Sequence, residues 1–272
     1  MFGRKRTIAG KRVLVTGASS GIGRATAKEF AARGAKVLAV ARTESKLAAL
    51  AEEVRAAGGT LFPFVADICK EEDRQAAVAE AALRLGGLDI LVNNAGIGAF
   101  GHFIDLGPEV LRQLFEVNFF ALAECCRAAI PELAKGDDPT IVNVSSMTGR
   151  RGIPAWTDYS ASKFAVCGFS EALRPELARF GIELTLVVPG LTRSDLGRHL
   201  LVDRGRMPPP FEKGIPTETV AAAIVNGVER RKNEVRVERN ARLLLFFNWL
   251  APRFVDWRLR RIVARLYSPS KT

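Results

Sequence analysis

The segment VLVTGASSGIG, from Val13 to Gly23, already contains a strand, a turn and the start of a helix. Residues 13–16 are an apolar, β-branched run. Glycines follow at 17, 21 and 23, and residues 21–33 then keep the period of an amphipathic helix. A strand that feeds a helix through a glycine-rich turn brings unpaired helix N–H groups to bare backbone, where a pyrophosphate can approach. The spacing is G-x-x-x-G-x-G, not the G-x-G-x-x-G of the common dinucleotide fingerprint. A plain tight turn would use the same glycines; the position between a strand and a helix is what favours phosphate. Within that turn Ser19 and Ser20 add hydroxyl donors, and Ile22 begins the helix with Gly21 and Gly23.

Working outward, short runs rich in Val, Ile and Leu recur at 36–40, 60–65, 88–92, 140–144, 183–188 and 234–237. Helical patterns separate them at 44–57, 71–85, 117–133, 158–180 and 217–231. Strands apolar at nearly every position belong to a sheet covered on both faces, and strict alternation with helices makes that sheet parallel. The expectation is α/β: a single Rossmann-like, doubly wound domain over residues 11–238, with about seven mainly parallel strands and helices on both faces. A basic leader (1–10) precedes it and an amphipathic helical extension (239–272) follows. Residues 193–213, which include Pro208, Pro209 and Pro210, have no clear period and leave the sixth strand as a long loop. In an open α/β sheet such a loop lies where ligands bind, so it is the candidate substrate loop.

The second strand ends at Ala41-Arg42. A carboxylate at that place accepts hydrogen bonds from the ribose 2′-OH of NAD, whereas a guanidinium offers a planar donor set to a 2′-phosphate. Arg42 without a carboxylate favours NADP(H) over NAD(H). Asp67, after the third strand, reads as a helix-initiating cap, and Asn93, Asn94 and Asn118 read singly as turn or cap residues.

Tyr159 and Lys163 stand four residues apart in a helical stretch, which puts phenol and ammonium on one face. A free phenol titrates near pH 10, too high for proton exchange at neutrality, and a neighbouring cation lowers that value. Upstream, the fifth strand ends in Ser145-Ser146, and a hydroxyl there can donate to a substrate carbonyl as charge develops on it.

In this order and spacing, TGASSGIG, Asp67-Ile68, NNAG, Asn118, Ser146, YSASK and Pro189-Gly190 resemble the short-chain dehydrogenase/reductase family, over residues 11 to about 237. The resemblance implies that Gly17, Gly21 and Gly23 hold the pyrophosphate, that Asp67 and Ile68 meet the adenine, and that Asn94, Ala95 and Gly96 line the cofactor and brace the sheet. It implies proton exchange at Tyr159, ribose binding and lowering of the Tyr pKa by Lys163, and carbonyl polarisation by Ser146. Asn118 would hold a water joining Lys163 to solvent, and Pro189-Gly190 would pass beneath the nicotinamide. Family members usually carry Thr four residues after that glycine; here the position is Ser194, with Thr192 as its substitute. The implied activity is NADP-dependent hydride exchange with a ketone or secondary alcohol, apolar and lipid- or steroid-like given Leu196, Leu200, Leu201, Met207 and Phe211 in the loop. A non-catalytic NADP-binding sensor on the same fold is the competing expectation.

The formal charge is +11, from 40 Lys+Arg against 29 Asp+Glu. Residues 1–12 carry five basic groups and no acid, residues 229–272 sum to +8, and the 216 residues between them sum to −2. A near-neutral domain with two basic ends does not read as a nucleic-acid binder. The four cysteines and two histidines lack metal-ligand spacing, and no run approaches the length of a membrane span. Unpaired thiols and the absence of a signal-like start point to the cytoplasm. In the extension, Val255, Leu259, Ile262, Val263 and Leu266 fall on one helix face, with Arg258, Arg261 and Arg265 on another stripe. That face is expected to meet an anionic membrane surface, its own domain, or another subunit of a homodimer or homotetramer.

Overall fold

The computed structural model describes residues 5–198, 200–205 and 211–267. Pro208, Pro209, Pro210 and Met207 of the substrate loop, and the first four residues of the leader, lie outside the described residues.

Seven parallel strands form one sheet: β1 (Arg12–Thr16), β2 (Lys36–Ala41), β3 (Thr60–Val65), β4 (Ile90–Asn93), β5 (Thr140–Val144), β6 (Glu183–Pro189) and, after a two-stranded ribbon of β7 (Thr192–Arg193) and β8 (Ile215–Pro216), β9 (Glu234–Val237). The spatial order is β3-β2-β1-β4-β5-β6-β9, so the direction of winding reverses between β1 and β4. Ligands of open α/β sheets bind at the carboxyl ends of strands flanking such a reversal.

Alternation along each strand explains the two-faced burial. Val13, Val15, Val37 and Ala39 point to one side, where α1 (Gly21–Ala32), α2 (Glu44–Ala56) and α7 (Thr217–Glu229) cover them with Phe30, Leu50 and Ile224. Leu14, Leu38 and Val40 point to the other, under α3 (Glu71–Leu85), α5 (Ala121–Leu133) and α6 (Thr157–Glu176). Pro63 is tolerated in β3 because β3 is an edge strand.

Two features differ from the sequence expectation. A helix, α4 (Pro108–Phe115), precedes the one expected from residue 117 and joins it through a π-turn, Glu116–Phe120, so that Asn118 sits inside a continuous helical rod and not near its start. Asp67 does not cap α3, whose N-cap is Lys70. Its carboxylate accepts from the Cys69 N–H (3.1 Å), while its own N–H donates to Asp73 (2.7 Å), closing a turn at the end of β3. Charged side chains also tie the end of the leader and the start of the domain to the strand starts. The Arg6 guanidinium is buried on Asp138 and Glu183, and Lys11 is buried against Asp137.

The extension forms two helices, α8 (Arg239–Leu250) and α9 (Pro252–Tyr267), and no helix among the described residues is long and apolar enough to cross a membrane. On α9 that face turns inward, in line with the own-domain alternative, with Val255 buried and Leu259, Val263 and Leu266 half-buried; only Ile262 of that set is exposed.

Candidate active site

The glycine turn after β1 is shaped by steric necessity. Gly17 has φ +66°, and a Cβ there would come within 2.7 Å of the Ala95 Cα. Gly21 has φ +55°, and a Cβ on Gly23 would overlap the Asn94 amide and the Gly17 carbonyl. These contacts exist because Asn94 binds the turn: its Nδ2 donates to the carbonyls of Thr16 (3.1 Å) and Gly17 (3.3 Å). In return Thr16 Oγ1 accepts from the backbone N–H of Asn94 and Ala95. The ends of β1 and β4 are thereby locked together at the reversal point. Ser20 is the N-cap of α1 but makes no capping bond, so the first helical N–H groups face the turn without a side-chain partner. A bare backbone, a helix N-terminus and no carboxylate at the turn form a donor set that fits a pyrophosphate.

From this turn a cleft of about 420 Å³ runs along the carboxyl edge of the sheet. Gly17, Ser19, Ser20, Gly21, Ile22, Arg42, Asp67, Ile68, Asn94, Ala95, Gly96, Tyr159 and Lys163 all line it. Gly23, Ser146 and Asn118 are not among the residues that line it; Asn118 is fully buried, whereas Ser146 is half-buried. Arg42 is exposed at the end of β2, beside Thr43 and Lys46, and forms no ion pair among the described residues. A second groove of about 510 Å³ between α1, α2 and the start of α7 shares Gly21 and Ser194 with the cleft. Its Arg24 and Lys28 are paired with Glu53, and it contains none of the acid–base residues.

At the other end of the cleft, α6 presents Tyr159 and Lys163, both buried, with the ammonium 5.8 Å from the phenol ring centroid. Ser145 ties β5 to α6 by donating to the Lys163 carbonyl (2.9 Å). The turn Met147–Gly149 packs so closely on α6 that a Cβ on Gly149 would press the Lys163 carbonyl, which fixes Ser146 against Tyr159. Ser146 Oγ accepts from Thr148 Oγ1 (3.0 Å) and is the neighbouring hydroxyl that favours the ionised form of Tyr159. Burial pushes the phenol up to about 12, opposed by the Ser146 hydroxyl, so the lowering expected from Lys163 is not the dominant effect in the protein alone. The lysine itself is brought down to about 8 by burial, with Nζ donating to the Val144 carbonyl (3.2 Å).

Asn118 is fully buried and its side chain is completely used. Oδ1 accepts from the Ile97 N–H (2.8 Å), and Nδ2 donates to the Ile97 carbonyl (3.0 Å) and to Ser162 Oγ (3.0 Å). Its direct task is to clamp the loop after β4 onto α6. A Cβ on Gly96 would lie 3.0 Å from Asn118 Oδ1 and 3.4 Å from Lys163 Nζ, so the clamp and the lysine share that glycine.

The long loop closes the Tyr159 end. Leu196, Leu200, Leu201 and Phe211 pack on Phe100, Trp156 and Tyr159. Backbone bonds attach it to the loop after β4, with Phe100 donating to Val202 and Leu201 donating to Gly98 (both 2.8 Å). Trp156 stands edge-on to Tyr159 at 5.3 Å, held there while Ala155 adopts φ +65°. Pro189 and Gly190 end β6, and Gly190 is pressed against Glu238 and Ala241 at the start of α8. Thr192 does not line the cleft: it is buried with its hydroxyl donating to the Gly190 carbonyl (3.1 Å), and Ser194 lines the cleft in its place. Lys46, Cys69, Ile97 and Val117 also line the cleft. Of these, only Lys46 had a visible signal, as a cation one helical turn beyond Arg42.

The short chain dehydrogenase family matches residues 11–204. Ketoacyl reductase HetN of Nostoc sp. is 34% identical over 257 residues, which are 92% of this chain and 88% of that protein. A hydroxysteroid 11-beta-dehydrogenase 1-like protein of Xenopus tropicalis is 36% identical over 260 residues, 94% of this chain and 88% of that one. Among solved structures, a short chain dehydrogenase/reductase from Burkholderia phymatum in complex with NAD shares the fold, with TM-score 0.83 at 23% identity over 92% of this chain and 96% of that chain. A dehydrogenase/reductase from Sinorhizobium meliloti gives TM-score 0.77 at 28% identity, over 86% and 97% of the two chains.

Proposed function

The chain belongs to the short-chain dehydrogenase family and is an NAD(P)-dependent oxidoreductase of small-molecule carbonyl and alcohol substrates, and on that premise we propose that it uses NADP(H) on an apolar ketone or secondary alcohol, with Tyr159 as the acid/base. The observation that carries the acid/base assignment is the setting of Tyr159: a buried phenol with the Lys163 ammonium 5.8 Å from its ring and the Ser146 hydroxyl acting on it, lining a cleft with the shape and donor set for a dinucleotide.

The bound cofactor supplies or accepts the hydride at its nicotinamide. Everything else is the work of the chain. The glycine turn and the α1 N-terminus hold the pyrophosphate, Asp67 and Ile68 border the adenine, and Lys163 binds the ribose near Gly96. Arg42 and Lys46 meet a 2′-phosphate, which is the support for NADP(H). Ser146 and the Tyr159 hydroxyl donate to the substrate oxygen, and Tyr159 passes its proton there as negative charge grows. Burial keeps the phenol protonated and ready to donate, while the nearby ammonium favours the phenolate left behind.

The apolar-substrate reading rests on the wall beside Tyr159: Trp156, Phe100, Leu196, Leu201 and Phe211 leave few polar partners for a substrate. The names of two relatives, a ketoacyl reductase and a hydroxysteroid dehydrogenase-like protein, describe ketone chemistry on apolar frames. The test is NADPH oxidation over a panel of steroid, fatty-acyl and small ketones with the wild type and Tyr159→Phe. Loss of turnover with retained NADPH binding is expected. Undiminished turnover in the variant overturns the assignment.

A further inference from the structure

The α8–α9 hairpin leaves more large apolar surface uncovered than any other part of the described chain. Leu243, Phe246, Phe247, Trp249 and Leu250 on α8, with Phe254, Trp257 and Ile262 on α9, are eight of the fifteen large hydrophobic residues that are exposed. Their arrangement is regular. Residues 243, 246, 247 and 250 fall on a single stripe of α8, 254 and 257 are i, i+3 neighbours on α9, and 262 lies at the margin of its buried face. The aromatic rings touch each other: Phe246 contacts Phe247 and Trp249, and Phe254 stacks on Trp257 at 5.7 Å.

Charge decides what such a surface meets. Residues 239–267 contain seven arginines (239, 242, 253, 258, 260, 261 and 265), all exposed, and a single acid, Asp256. That acid is already paired with Arg151, and Arg261 lies 4.8 Å over the Trp257 ring. A second copy of the hairpin would bring like charge against like charge. Aromatic side chains interleaved with arginines are instead the composition of helices that lie in the interface of an anionic bilayer.

We propose that the α8–α9 hairpin docks this chain on an anionic phospholipid surface. Topology gives the docking a consequence. All seven strands of the sheet are parallel, so the chain leaves β9 at the same edge where the cleft opens, and α8 begins against Gly190 at the end of β6. Arg151 anchors both helices, donating to Asn248 (3.0 Å) and pairing with Asp256, and it stands five residues after Ser146. A docked hairpin therefore puts the substrate end of the cleft close to the lipid, so that an apolar ketone reaches Tyr159 without crossing water. This consequence rests on the apolar-substrate reading above, whereas the docking itself does not.

The experiment is co-sedimentation of the full chain with phosphatidylcholine vesicles containing about one-third phosphatidylserine, beside vesicles of phosphatidylcholine alone. Two variants accompany it, Phe246→Ser/Trp249→Ser/Trp257→Ser and Arg258→Gln/Arg260→Gln/Arg265→Gln, each checked for NADPH binding and circular dichroism. The wild type is expected in the pellet with anionic vesicles only. The three lost arginines should weaken binding by about a hundredfold at low salt, and the three lost rings by at least as much. No sedimentation, or sedimentation indifferent to both variants, overturns the proposal. So does a dimer in sedimentation equilibrium that the serine variant dissociates, because it assigns the face to a second copy. Vesicle binding is read without turnover, so its failure leaves the oxidoreductase assignment standing, and a failed ketone screen leaves the docking standing.

Discussion

Replacing Lys163 with Met removes the one buried ammonium beside Tyr159 while keeping much of the side-chain volume. Taking the ring centroid as the centre of the phenolate charge, the separation is 5.8 Å. With an effective dielectric near 20, a unit charge pair at that distance attracts by about 3 kcal/mol, which is about two pKa units. While Lys163 is charged it therefore opposes the burial that raises the phenol, and the Met variant loses that opposition, leaving the phenol about two units harder to ionise than in the wild type. Lys163 loses its own proton at about 8 while the phenol is neutral. The two titrations are coupled, and this fixes a pH signature. For alcohol oxidation, where the phenolate is the base, the wild type should exceed the variant by about a hundredfold at pH 7. By pH 9 the wild-type lysine is largely neutral and the ratio should shrink to about tenfold. The assay is initial-rate NADP⁺ reduction at saturating cofactor, so that lost ribose contacts appear in the cofactor KM and not in the ratio. A ratio constant from pH 7 to 9, or a few-fold effect throughout, refutes the electrostatic role and leaves Lys163 as a ribose ligand alone.

Three further outcomes are expected. Arg42→Glu puts a carboxylate where a 2′-phosphate would sit, and like-charge opposition of about 3 kcal/mol should raise the NADPH KM roughly a hundredfold while NADH is little affected; equal effects on both cofactors would remove Arg42 from the phosphate site. Gly23→Ala drives a Cβ into the Asn94 amide and the Gly17 carbonyl, so urea denaturation should show a loss of about 1–3 kcal/mol, and unchanged stability would mean that the turn relaxes freely. Arg6→Ala removes a fully buried guanidinium whose partners Asp138 and Glu183 are also held by Arg231 and are partly exposed, so about 2 kcal/mol should be lost with NADPH affinity unchanged. A change in NADPH affinity would contradict the placing of that cluster away from the cleft.

What the sequence made legible, and what it did not, follows from the range of the interactions involved. The glycine turn, the seven strands and the Tyr159–Lys163 pair are local: each depends on spacings of one to seven residues, which periodicity and turn chemistry report directly. The π-turn at Asn118 is not local in this sense. Within it Asn118 bonds Ile97, twenty-one residues back, and Ser162, forty-four residues on. Its pattern reads as ordinary helix, which puts the residue near a helix start. The short helix 108–115 was missed for another reason, since it opens on Gly107-Pro108 and buries only Val110 and Leu114. The exchange of Thr192 for Ser194 is set by tertiary contacts: Thr192 is buried in the two-stranded ribbon with its hydroxyl on the Gly190 carbonyl, whereas Ser194 follows the end of that strand. The phenol pKa was expected low because a cation was visible at i+4, whereas burial, which acts in the opposite direction, comes from residues far apart in the chain.

The same parallel sheet separates the two uses of the chain's excess positive charge. At the amino ends of the strands the cations are turned inward. Arg6 joins Asp138 and Glu183 near the starts of β5 and β6, and Arg12 at the start of β1 is bonded to Asp89, just before β4, which holds that carboxyl below its ordinary range. Those charges hold neighbouring strand starts in register and are not available to a partner. At the carboxyl ends the cations are exposed: Arg42 and Lys46 at the cleft, then seven arginines on the hairpin that follows β9. A mixed sheet would have sent some of these connections to the opposite edge. Seven parallel strands cannot, so nucleotide site, substrate wall and hairpin all emerge on one side of the molecule. The basic charge of the whole chain therefore says little about the domain's chemistry, while its uncompensated part marks the edge on which that chemistry takes place.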